Sequence, residues 1–427
     1  MLPICLPKIY FLLLFSIFSF GNREIVYEWN SLDFNWPSEQ IKQDYIRKGL
    51  FKAENNAISG LKVFGSQIFL TVPRWRSGVP ATLNRIVWRG DKAVLDPYPS
   101  WKLNRLGDCR AFQYTQSMEI LPRQQELWVI EIGRMNIFEK NTYLCPPRLV
   151  IVDLETKHLK KTHLFSEKVV SRQENFLNDL VVDTKDRIAY ISNPGENSLV
   201  IVNMATGEER KVLHMSMVPP HGNFYVNKLR FSVSIGIDGI ALSPDFSTLY
   251  YCALTAHNLY AIATNVLRSE KLDEDLFDRS YQLIANKHTT TDGMIMSDKS
   301  LYFGALSNNS IMQWKVEEDR KVQNKSLEEV EMRSVAVLRQ SNSTLQWADS
   351  FAIDQTGNLW FTSNKLQHFL AGTMDFSGKS GANFRIWKVK INERSYVDNS
   401  ALSISASCVI VALLQSAHVL RMDAPFN

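Results

Sequence analysis

From Gly60 onward the apolar positions of this chain fall into short alternating runs, each broken by a polar turn and answered by a second, more aromatic run. Six stretches share this grammar: GLKVFGSQIFLTV from Gly60, SMEILPRQQELWVIEIG from Ser117, NDLVVDTKDRIAYISN from Asn178, DGIALSPDFSTLYYCAL from Asp238, DGMIMSDKSLYFGAL from Asp292 and DSFAIDQTGNLWFTSN from Asp349. A period of two is that of half-buried β-strands. Copies spaced by roughly 55 to 60 residues mark a toroidal array. Further strands are expected between the copies at RLVIVDL, SLVIVNM, NLYAIAT and SIMQWKV, so each unit supplies about four strands, which is one propeller blade. The pattern predicts an all-β protein, a six-bladed β-propeller over residues 22–395, with REIVYEW at the front and NFRIWKVKI at the rear sharing the closing blade. Helical patterns are scarce; the charged stretch from Lys315 to Glu331 reads as a solvated loop in preference to a helix.

In a propeller the first strand of each blade lines the central channel. Asp179, Asp238, Asp292 and Asp349 stand at the head of that strand in four consecutive repeats and are therefore expected to form a ring at one channel mouth. Two roles are open to them: latching neighbouring blades through backbone N–H groups, or chemistry in the channel. Crowded carboxylates push one pKa upward, so one acid could act as a base while another holds a proton, with Asp238 and Asp292 the catalytic candidates.

Composition adds context. With 45% apolar residues the chain can bury a large core, and a net charge of +4 implies no nucleic-acid partner. Residues 1–21 read as a secretory signal peptide: Lys8, an apolar run from Ile9 to Phe20, then small Ser19 and Gly21. Secretion places the cysteines in an oxidising compartment. Cys109 and Cys145 sit in polar loop sequence flanking one expected hairpin and are expected to pair, leaving Cys252 as a buried thiol within a strand. Asn308, Asn324 and Asn342 each open an N-glycosylation tripeptide. Residues 396–427 read as a weakly hydrophobic tail, and any membrane contact would come through it. His221 and His288 precede channel strands and read as loop histidines, and no metalloprotease, nucleophile-elbow or Walker motif is present. No cofactor and no resident metal are expected, although Asn178, Asp238 and Asp292 have the oxygen ligands that a cation would use.

The stretches NNAISGLKVFGSQIFLTVPRWRSGVPATL, QSMEILPRQQELWVIEIGRMNIF, CPPRLVIVDL, NFLNDLVVD, DGIALSPDFSTLYY and NFRIW, with Pro73 to Leu83 the most specific segment, resemble in order and spacing the insect yellow and major royal jelly protein family, from about Ile25 to Ile391. One departure is Glu131, where the family pattern has Asp. The resemblance implies a secreted six-bladed propeller. It also implies three functions from different classes: dopachrome tautomerisation in melanin pigmentation of cuticle, binding of biogenic amines such as dopamine or serotonin, and a structural role in cuticle. For a small aromatic amine or dopa-derived ligand, the expected contacts are Asn178, Asp179, Asp238, Asp292, Asp349 and Asn364, with Phe384 offering a ring face.

Overall fold

The computed structural model describes residues 24–220 and 222–398. The leader 1–21, His221 and the tail beyond residue 398 lie outside the described residues. Six four-stranded antiparallel sheets are arranged around a common axis. Each of the six sequence repeats forms the two innermost strands of one blade, from Leu61–Phe64 and Gln67–Thr71 in blade 1 to Trp347–Ile353 and Asn358–Asn364 in blade 6. The inner strands meet in ring order, and that of blade 1 meets that of blade 6. The ring is closed as the sequence pattern predicts: Ile25–Trp29 is the outer strand of blade 6 and pairs antiparallel with Phe384–Lys390, Tyr27 opposite Ile386. Ion pairs Glu28–Arg385 and Glu24–Arg339 fix the closing strand, the second one to blade 5.

The Asp-Gly pairs have a packing reason. A Cβ on Gly239 would stand 2.3 Å from the Asp292 carbonyl oxygen, and one on Gly293 would stand 1.8 Å from that of Asp349. Each glycine therefore lets the next blade's inner strand approach, while the preceding aspartate turns into the channel. Residues Val316–Gln323 of the charged stretch expected to be a loop form a helix. Its first turn carries Glu317, Glu318 and Asp319, which suit the positive end of the helix dipole. Asp319 is buried and accepts from Trp314 Nε1 and from the backbone N–H groups of Arg333 and Ser334, which anchors the helix to blade 5. A disulfide joins Cys109 to Cys145, and Cys252 is a buried free thiol. Asn308, Asn324 and Asn342 are all exposed. Among the described residues no helix is long and apolar enough to cross a membrane.

The segment Pro73–Leu83, between the second and third strands of blade 1, is organised by Arg74. This guanidinium is 2% exposed and donates to the carbonyls of Val79, Pro80, Asn104, Phe112 and Gln113. Burial draws its pKa down to about 10, while the charge of Glu131 acts the other way. Glu131 is itself buried and accepts from the N–H groups of Gln113 and Tyr114. Its carboxylate thus holds the backbone at Gln113 and Tyr114, next to the carbonyls of Phe112 and Gln113 that Arg74 binds.

Candidate functional site

The inner strands begin on one face of the ring, which is also where second strands end and where each outer strand hands over to the next blade. The connections on that face build a cavity of about 360 Å³, within the range of small-molecule sites. Its walls are apolar and largely aromatic. Trp75 comes from the Arg74 segment, Phe176 from the approach to blade 3, and Trp347 from the head of the blade 6 inner strand. Phe224 and Phe231 come from a small hairpin, Phe224–Val226 with Leu229–Phe231, inserted between blades 3 and 4. Asn227 and Lys228 at its tip both have positive φ, a turn that matches the strand twist. Phe224 and Phe231 are stacked 5.1 Å apart, and both present edges to Trp347 at 6.2 and 6.3 Å.

The floor of the cavity is acidic. Asn178, Asp238, Asp292 and Asp349 line it, and all four are buried. They also line a second, tight space of about 20 Å³ below, together with Asp179, room for about one water molecule. The lower end is sealed. Lys62 pairs with Glu119 at 3.0 Å, and the Tyr396 hydroxyl donates to the same carboxylate at 2.9 Å while accepting from Val182 N at 3.1 Å. The expectation that 396 belongs to a loose tail is corrected here. Tyr396 is 1% exposed and closes the channel, because its ring finds an apolar seat beside Phe246 and its hydroxyl two partners.

The four acids are not equivalent. Trp347 Nε1 donates to Asp292 Oδ2 at 2.6 Å, and the Asn178 amide donates to Asp238 Oδ1. Asp179 accepts from Leu180 N at 2.9 Å and from Ile240 N of the next blade at 3.5 Å, so it alone adopts the blade-latching pattern. Burial is the leading cause of every shift, ahead of the like-charge repulsion that the sequence suggested. It pushes Asp238 and Asp349 well above the usual carboxylate range, with the Asp292 charge adding to both. Asp292 rises only to about 6, because Trp347 and Asp238 hydrogen-bond its ionised form. Asp179 rises to about 7, with the Lys62 charge opposing burial. Of the three acids that line the cavity, Asp292 is therefore held nearest the usual carboxylate range, while burial opposes ionisation of Asp238 and Asp349 more strongly.

Three expected ligand contacts lie elsewhere, Asp179 lining only the lower space. Phe384 is 1% exposed in the main hydrophobic core, since it sits on the third strand from the axis and cannot reach the channel. Asn364 does not line the cavity; it donates to Ile58 O, accepts from Leu366 N and lies against Asp349, which makes it a positioning residue. His288 is exposed and is not among the lining residues. Among the described residues no group of three or more His, Cys, Asp or Glu side chains is placed to hold a metal ion. Sequence reasoning missed the aromatic wall. Its signals were the Trp75 of PRWR, the Trp347 two residues ahead of Asp349, and the Phe224 and Phe231 that flank a Val-Asn-Lys turn.

A sequence profile of the family described as major royal jelly protein matches residues 122–398. Protein yellow of Drosophila yakuba is 28% identical over 400 residues, covering 88% of this chain and 70% of that protein. Protein yellow of Drosophila melanogaster is 28% identical over 383 residues, covering 84% and 67%. Among solved structures, a luciferin-regenerating enzyme resembles the chain over 80% of this chain and 95% of that one, at 12% identity and a TM-score of 0.47. A PQQ-bound aldose sugar dehydrogenase from Streptomyces coelicolor does so over 78% and 94%, at 11% identity and a TM-score of 0.44. At these values neither structure bears on the chemistry of the site.

Proposed function

The chain belongs to the major royal jelly protein family, and from that premise we propose that it is a secreted, yellow-type protein of melanin pigmentation whose cavity turns over dopachrome. The observation that carries this reading is the set of three buried carboxyls, Asp238, Asp292 and Asp349, under an aromatic wall, with the Trp347 indole donating to Asp292 and the Asn178 amide to Asp238. Tautomerisation of an aminochrome moves one proton: a base removes it from a ring carbon, and an acid returns one to a quinone oxygen. Nothing is oxidised or reduced in the sum. Asp292, with its carboxylate steadied by the Trp347 indole, is assigned as base. Asp238 or Asp349 is assigned as acid, the aromatic wall holding the planar ring between them.

A second reading follows from the same wall. Aromatic rings above a carboxylate also suit an amine held by charge and cation–π contact, with no proton transfer. A paired assay on the purified protein separates the two: dopachrome decay, and calorimetric titration with dopamine or serotonin. Turnover that is lost in Asp292→Asn and Asp238→Asn, both folded, supports the isomerase. Saturable amine binding without turnover supports the binder. If neither signal is seen, the role lies in cuticle structure and the exposed surface.

A further inference from the structure

The cavity wall contains one charged group that neither reading uses. Arg134 follows the second strand of blade 2 and is the one cationic side chain among the described residues lining the cavity. Its Nη1 donates to the Gln173 carbonyl at 2.5 Å, which fixes the guanidinium in place. Its Nε is buried with no hydrogen-bond partner, and among the described residues no carboxylate lies within ion-pairing distance of it. A buried, unpaired guanidinium N–H costs free energy unless something fills it. In a cavity whose floor is acidic, this half-buried guanidinium is the one lining side chain with a charge suited to an anionic oxygen of a ligand.

We infer that Arg134 is a specificity residue that receives a carboxylate, so that the cavity selects aromatic ligands carrying a carboxyl group, such as aromatic amino acids and the indolines formed from them, over the decarboxylated amines. This inference rests on the cavity reading above and narrows it to one substrate class. The fork geometry of arginine matches a carboxylate in two parallel hydrogen bonds. The acidic floor would then meet the amine nitrogen, and the wall formed by Trp347, Phe224 and Phe231 would meet the ring.

The test compares matched pairs on the intact secreted chain by titration calorimetry: L-dopa against dopamine, and L-tryptophan against tryptamine. The wild-type protein is expected to bind the carboxylated member of each pair about 10- to 100-fold more tightly, the usual range for a charged hydrogen bond. Arg134→Gln is expected to abolish that preference by weakening only the carboxylated member, and Arg134→Lys to keep part of it. Equal binding of both members by the wild type would overturn the inference without the use of any variant. So would an equal loss for both members in Arg134→Gln, which would make Arg134 a wall element; in either case the cavity reading stands. If no probe binds, the cavity reading itself falls and the inference with it.

Discussion

Trp347 Nε1 and Asp292 Oδ2 lie 2.6 Å apart, a bond from the head of the blade 6 inner strand to the head of the blade 5 inner strand. It joins the aromatic wall to the acidic floor, and it singles out Asp292 as the acid with the most accessible charge among the three that line the cavity.

Replacing Trp347 by Phe keeps the ring and removes the donor. The Asp292 pKa should then rise above about 6, by roughly one to two units, since a hydrogen bond to an ionised group is worth about 1.5–3 kcal/mol. The measurement is the acid limb of the pH–rate profile for dopachrome decay, or of the pH dependence of ligand affinity. An unmoved limb would show that Asp292 is not the group titrating there.

Asp179 gives a stability prediction. Its pKa is about 7 in the folded protein against 3.8 as the ordinary value, so the folded state holds a proton that the unfolded state releases. The stability from this group is complete below pH 3.8 and is lost as pH rises through about 7, at no more than about 1.4 kcal/mol per pH unit. Denaturant melts of the parent and of Asp179→Asn at pH 5, 6, 7 and 8 should show the gap moving in favour of the Asn variant up to about pH 7, then levelling. A gap that is constant with pH would show that Asp179 is ionised throughout.

Arg74→Lys is expected to destabilise the protein despite keeping the charge. An ammonium has three donors and no planar fork, whereas Arg74 serves five carbonyls. Leaving two or more buried carbonyls unmet costs about 2–5 kcal/mol. Thermal melting reads the loss, and because Trp75 follows directly in the chain, ligand affinity should fall with it.

Tyr396→Phe removes the hydroxyl that joins Glu119 to the backbone of Val182. The cost should be about 1–2 kcal/mol, since Lys62 continues to hold Glu119. Affinity for ligands of the upper cavity should be unchanged, because Tyr396 lines only the lower space. A large loss of affinity would mean that the two spaces act as one.

The blades were legible because each repeats one period of alternation, and the acid ring because one charged residue recurs at the same place in four strands. The aromatic wall was not legible. Trp75 comes from a connection, Phe224 and Phe231 from a short hairpin outside the six blades, and Trp347 from the first residue of a strand, places where the blade period does not fix a side chain, and they meet only because the ring closes. Phe384 failed as a ligand contact for a related reason: alternation tells the two faces of a strand apart, but not how far that strand stands from the axis. Tyr396 was hidden because the repeat ends before it, and burial beyond the last strand leaves no pattern in the residues around it.

The shared closing blade also sets an order of events in biosynthesis. Glu28 and Arg385, paired across its last two strands, are 357 residues apart along the chain. The strand made first therefore waits, with its backbone groups unpaired, until the strand made nearly last has been translated. Five blades are complete before then, and the ring they form stays open with two exposed edges, the kind that invite pairing with other chains. For a protein of this shape the last pairing to form is the meeting of its own two ends, in competition with pairing between chains. Substitutions in Ile25–Trp29 should show first as lost yield, before any change in the chemistry of the cavity.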